Sequence, residues 1–291
     1  MAVVDRLDRE LEGLDQLELQ LPRTPSLASR VWRVTWPKLA AIAIGLGLWQ
    51  LVVWSGWKPT YLLPGPATVF HHMWEDRHAI LDGTATTLRR AVEYYLAALS
   101  IGTLIAICIT RVHAVRLAVT PLVTGLQTMP SVAWVPIAIL LFGIKPEAIL
   151  FVTLAGSIPA VIVGTVAAID TVPPSLLQAG HMLGARGIDR YRHVVLPAAL
   201  PAYVAGMRQA WAFAWRSLMA GELIVPSHGT TALGQLLSAY QDQSLAADVL
   251  AIMIAILAVG LLMDVVFSRL ERTVLDRRGL LRGRQLVGAG A

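Results

Sequence analysis

Six stretches of this chain are too long and too apolar to be the buried stripe of a soluble helix. About 20 apolar residues in helical form cross the hydrocarbon layer of a bilayer, and in lipid only helices or closed barrels satisfy every backbone polar group internally. The run at about 39–57 carries no charge and has Trp54 and Trp57 near its end. A second, about 94–110, is closed by Arg111. The third, about 120–144, is uncharged but interrupted by Pro121, Pro130 and Pro136, and reads as one helix from about Val132 entered through a kinked stretch. A fourth covers about 148–169 with Pro159 inside it, and the last two cover about 197–221 and 249–268. The predicted fold class is an all-α membrane protein with six transmembrane helices.

Composition agrees with a bilayer as solvent. Of 291 residues, 56% are hydrophobic and 15% charged, whereas soluble domains carry about a quarter charged residues. The net charge of +5 lies in loops and tails beside the apolar runs, which fits topology rather than a nucleic-acid surface. Arg23, Arg30, Arg33 and Lys38 precede the first run; Arg111 and Arg116 join the second to the third; Arg186, Arg190 and Arg192 lie between the fourth and fifth; Arg269, Arg272, Arg277, Arg278, Arg282 and Arg284 follow the sixth. The positive-inside rule puts all of these, both termini included, in the cytoplasm of a multi-pass protein. Three regions follow: a cytoplasmic segment 1–38, a transmembrane domain 39–271 with a cytoplasmic loop at 173–196, and a basic tail 272–291. Within the first, residues 1 to about 20 suit an amphipathic helix with Leu7, Leu11, Leu14 and Leu17 on one face, and the charged start does not read as a signal peptide. Residues 59–90 form a long connector, with a short helix at Ala67–His78 on the outer surface. The single cysteine, Cys108, is expected to be a buried small apolar residue.

The cytoplasmic loop holds the most specific pattern. Gln178-Ala179-Gly180-His181-Met182-Leu183-Gly184 is followed by Val194-Val195-Leu196-Pro197. Two helical pieces, Ser175–Met182 and Ile188–Val195, flank a turn holding Gly184 and Gly187. The pattern resembles the "EAA" loop of ABC importer membrane subunits: Glu-Ala-Ala, three residues, Gly, nine residues, Ile, one residue, Leu-Pro. Gln178 stands for the Glu, Gly180 for the second Ala and Val194 for the Ile. Further stretches resemble, in order, the permeases of the nitrate, sulfonate, taurine and bicarbonate branch. These are Leu62-Leu-Pro-Gly-Pro, Gln127-Thr-Met-Pro-Ser-Val-Ala-Trp-Val-Pro, Leu140-Leu-Phe-Gly-Ile, Gly206-Met-Arg-Gln-Ala-Trp and Ala220-Gly-Glu-Leu-Ile.

The resemblance covers about Trp49–Glu271. It implies a five-helix type I importer core, methionine-permease-like, preceded by one extra span in a bacterial inner membrane. It implies that two permease copies pair, usually as a homodimer, and that a cytoplasmic ATPase dimer receives the loop. The coupling residues would be Gln178, Ala179, Gly180, Gly184, Arg186, Leu196 and Pro197. An extracytoplasmic binding protein would deliver a small anion of the alkanesulfonate, taurine, nitrate or bicarbonate class. The three lysines, Lys38, Lys58 and Lys145, are not preceded by Gly, so no phosphate loop exists. ATP and Mg would belong to the ATPase, and this chain would be a transport subunit rather than an enzyme.

The fifth run carries ionisable groups that are costly in lipid and so favour the protein interior or a water-filled path. Arg208, Trp211, Trp215 and Met219 share one helix face. With Arg216 and Glu222 they are the candidate translocation path. The alternative is that the arginines pair with Glu222 or a neighbouring subunit and serve assembly, and Asp264 reads as structural. His71, His72 and His78 lack a carboxylate or Cys framework for a metal site. Two other classes compete: an ion-gradient-driven secondary transporter, for which no internal repeat or mid-span acid is evident, and a membrane-embedded enzyme, for which no nucleophile–base or metal set appears.

Overall fold

The structure, a computed structural model, describes residues 27–225 and 231–278. The expected amphipathic helix at 1–20 and the end of the basic tail lie outside the described residues. Every element among the described residues is helical. The chain divides into two units, Met1–Pro59 and Thr60–Ala291. In the first, helix α1 runs Leu27–Trp54, and its part Thr35–Trp54 is long and apolar enough to cross a membrane.

In the second unit, α2 spans Pro66–Glu75, with Pro66 at its first turn, where a missing amide donor costs nothing. It stops at Asp76, and α3 begins at once, running Arg77–Arg111. The second apolar run is therefore only the end of a 35-residue helix, and most of the expected connector 59–90 is helical. After α3 come α4 (His113–Thr128), a 3₁₀ turn (Ser131–Trp134) and α5 (Val135–Phe142). The third span is thus not one helix from Val132. It is two pieces bent by 100° at Met129–Pro130, because Pro130 cannot donate the next backbone bond and holds Met129 in extended geometry (φ −67°, ψ 133°).

Helix α6 runs Pro146–Asp170; the loop follows as α7 (Pro174–Met182), α8 (Gly187–Arg190) and a π turn (Tyr191–Val195). The π turn leads without a break into α9 (Leu196–Ile224). A short helix the sequence reading missed, α10 (Leu233–Asp242), precedes α11 (Ala246–Arg277). Among the described residues four helices are long and apolar enough to span a membrane, and the bent pair makes a fifth. Helix α9 has the length, 29 residues, but its Arg, Gln, Tyr and Trp content makes it less apolar.

Helices α6 and α9 form the most extensive pair, with α3 against α6 next. Small residues let them approach. A Cβ on Gly206 would lie 3.2 Å from the Gly164 Cα, and one on Gly102 would lie 2.7 Å from the Val161 Cβ. Gly156 faces Ser217 still more closely. Around this crossing Tyr95, Trp211 and Phe267 pack edge-on or tilted at 5.2–6.0 Å, and the Tyr95 hydroxyl donates to the Met207 carbonyl at 2.8 Å. Cys108, expected to be buried, is exposed: it lies on the α3 face turned away from α6.

Replacing Gly206 by Val should drive a branched side chain into the α6 backbone and cost about 1–3 kcal/mol or more. In detergent, the melting temperature and monodispersity of the complex should both fall. Gly125 on α4 has nothing within 4 Å, so Gly125→Ala should leave both unchanged or slightly improved.

Candidate functional site

The loop is built by glycines and by packing against its own second half. Gly184 and Gly187 have φ +86° and +53°, a region that side-chained residues enter only at a cost. Nothing lies within 4 Å of a Cβ built on Gly184, so within this chain its requirement is conformational rather than one of space. The tight contact is at Gly180, where a Cβ would come 2.8 Å from Val194 Cγ2. Two of the three departures from the EAA pattern, Gly180 and Val194, therefore touch.

Gln178 is exposed and Ala179 half-buried on α7, Arg186 and Leu196 are exposed, and Pro197 is half-buried at the start of α9. Beside the turn, Met182, Leu183 and Ile188 are 81%, 88% and 71% exposed. Three large apolar side chains on one loop are thus left uncovered by the rest of the chain. The loop's inner side is anchored elsewhere. The Arg111 guanidinium stacks 4.5 Å above the Tyr191 ring, and Arg278 donates to the Pro197 carbonyl. Val172, Val195 and Ala199 form a small core under it.

The predicted stripe on α9 does assemble. Arg208, Trp211, Trp215, Arg216 and Met219 line one groove of about 520 Å³, closed by Leu237 of α10 and by Met253, Ile256, Leu257, Gly260 and Asp264 of α11. Trp211 is the buried floor, stacked on Trp215 at 6.4 Å. The two arginines differ in charge balance. Arg208 donates twice to Asp264, Nε–Oδ1 and Nη2–Oδ2 both 2.8 Å, and lies 3.6 Å from Glu271. One guanidinium facing two carboxylates leaves no net positive charge. Asp264, and not Glu222, is thus the counter-ion of Arg208.

Glu222 leaves the stripe altogether. Its carboxylate is fully buried, accepting from Thr87 at 2.9 Å, from the Gly234 amide at 3.3 Å and from Arg90 at 3.4 Å. It fastens α9 to α3 and α10. Two neighbouring clamps were also unread: His72 to the buried Asp248 at 2.8 Å, and the Tyr240 hydroxyl to Asp76 at 2.8 Å. Burial together with Asp76 pushes Tyr240 up to about 12, so it remains a donor at any working pH. Only the isolated acids in apolar surroundings at Glu222 and Asp248 could have signalled these contacts. No group of three metal-binding side chains occurs among the described residues.

A bundle of long apolar helices, broken once and carrying a glycine-hinged loop with an uncovered apolar tip, defines a polytopic membrane protein. Residues 98–276 match the model of the binding-protein-dependent transport system inner membrane component, and the chain belongs to that family. It is 28% identical over 250 residues to the bicarbonate transport system permease protein of Synechococcus elongatus, covering 81% of this chain and 88% of that one. It is 27% identical over 263 residues to the nitrate import permease protein of Leptolyngbya laminosa (83% and 90%). To the riboflavin transport system permease protein of Chloroflexus aurantiacus it is 27% identical over 223 residues (75% and 83%). Among solved structures, an inward-facing MetNI methionine ABC transporter matches with TM-score 0.54 at 20% identity, over 69% of this chain and 97% of that chain. An amino acid ABC transporter matches with TM-score 0.53 at 19% identity (71% and 96%). The fold is that of ABC importer permeases. The chain is a transport-system component of the membrane, not an enzyme, and the secondary-transporter reading falls with it.

Glu222→Ala should be the most destabilising single change at the ion pairs, at about 3 kcal/mol or more, because it strips three buried donors of their shared acceptor. A lower melting temperature than that of Arg208→Gln checks this. Arg208→Gln and Asp264→Asn should each lower it less, and the double variant should recover part of the loss.

Proposed function

We propose that this chain is the membrane-spanning subunit of an ATP-driven importer that moves a small anion delivered by an extracytoplasmic binding protein. The carrying observation is the loop. Its uncovered tip of Met182, Leu183 and Ile188 is the kind of surface a partner covers, and the π turn makes it continuous with α9. A cytoplasmic ATPase dimer seated on that tip, and binding ATP and Mg itself, would push α9 as a lever. Arg111 and Arg278 would pass the displacement to α3 and α11, a rigid-body coupling. Gln178, Ala179, Gly180, Gly184, Arg186, Leu196 and Pro197 shape or flank that contact. A second copy of the chain completes the path, and both termini face the cytoplasm. The named solutes of the relatives span inorganic anions and a flavin; Arg216, which lines the groove and has no ion pair among the described residues, favours an anion here.

The test uses the full complex with its ATPase and binding protein. Leu183→Asp should place a charge on the docking surface, and Gly184→Asp should add strain at φ +86°. Each should reduce uptake and binding-protein-stimulated ATP hydrolysis together, by about tenfold or more, with normal membrane insertion. Unchanged transport would mean that the loop is only a connector. In a Cys108→Ser background, cysteine at Arg186 should label only from the cytoplasm and cysteine at Asp82 only from outside. Labelling of the loop from outside would overturn the importer reading.

A further inference from the structure

The two arginines of α9 divide the labour. Arg208 is neutralised by Asp264 and Glu271. Arg216 makes no ion pair among the described residues: its Nε donates to the Ala212 carbonyl at 3.0 Å, and its guanidinium lies 4.8 Å from the Phe213 ring. The rest of its fork is uncommitted to any acid. Arg216 also stands at a junction. It lines the 520 Å³ groove and, with Phe213 and Ser217, a second cavity of about 280 Å³ at the bend of the third span.

That second cavity is lined by Gln127, Thr128 and Ser131 of the break, by Ser217 and by Arg216, with Gly156 beneath. Its side-chain donors are a guanidinium, an amide and hydroxyls, and no carboxylate lines it. Such a set suits an oxyanion: a planar guanidinium fork matches two oxygens at once, and hydroxyls and an amide take the remainder. The 100° bend places Gln127, Thr128 and Ser131 around this one space. Gly156 keeps the floor low, because a side chain there would meet Ser217.

We propose that Arg216 and the bend at Gln127–Ser131 form an oxyanion-binding step within the translocation path, and that Arg208 serves to tie α9 to α11. The ligand class is a small carboxylate-like, nitrate-like or sulfonate-like headgroup. This rests on the importer reading above and sharpens it to one residue and one place in the path.

The experiment uses proteoliposomes holding the whole permease–ATPase complex, with its binding protein outside, and labelled bicarbonate, nitrate and taurine as probes. The probe accumulated by the wild type is then given to Arg216→Gln, Arg216→Lys and Ser131→Ala. Arg216→Gln should lower uptake at least about tenfold, the loss expected for one charge-assisted hydrogen bond, while complex yield and stimulated ATP hydrolysis persist, so that hydrolysis runs uncoupled. Arg216→Lys, which keeps charge but not the fork, should fall between, and Ser131→Ala should raise the half-saturating concentration more than it lowers the maximal rate. Wild-type uptake by Arg216→Gln would overturn the proposal, as would loss of the assembled complex in both Arg216 variants. A wild-type complex that accumulates none of the three anions would remove the anion reading itself, and this step with it.

Discussion

Close approach of α6 and α9 is the contact on which the rest of the second unit depends. In lipid the hydrophobic effect does not hold helices together, so association rests on close packing and on hydrogen bonds between helices. Gly164 against Gly206 and Gly156 against Ser217 bring the two backbones near enough for both. With that crossing fixed, α3 can lay Gly102 on Val161 and reach Met207 and Tyr203 through Tyr95 and Thr103.

Polar clamps then fix the two ends of the bundle in different ways. At the end remote from the loop, Glu222, His72–Asp248 and Tyr240–Asp76 join α9, α2, α3, α10 and α11 through partly or wholly buried groups. Breaking a buried pair is costly, so this end is rigid. At the loop end the ties are more exposed: Arg116–Asp170, Arg208–Asp264, Arg111 over Tyr191, and Arg278 on Pro197. Exposed ion pairs contribute little each, so this end can shift as a body when the loop is moved. A rigid far end and a compliant near end suit a lever driven from the loop.

Transport adds a demand that packing alone does not meet, namely polar groups inside an apolar bundle. Arg208 is accommodated by two acids on α11, which offset its charge within the chain. Arg216 is accommodated only by a backbone carbonyl and a ring, so its charge stays available. The bent third span sits beside the second arginine, and its irregular backbone lines a cavity there.

Much was legible in the sequence because its causes are local. Apolar runs dictate helices in lipid whatever their neighbours, glycines at 184 and 187 announce positive φ, and the spacing of 208, 211, 215 and 219 puts those residues on one face. Pro130 marked a kink but not its size, since a 100° turn depends on what receives α5. The length of α3 was hidden because its first half is polar yet helical, stabilised by α10 and α11 packing beside it. Which carboxylate serves which arginine was beyond the sequence. Glu222, Asp264 and Glu271 are similar as text, and only the crossing angles of α3, α9 and α11 decide which of them meets Arg90 and which meet Arg208. The tertiary structure likewise decided that Gly180 packs on Val194, so that two departures from a motif become one contact.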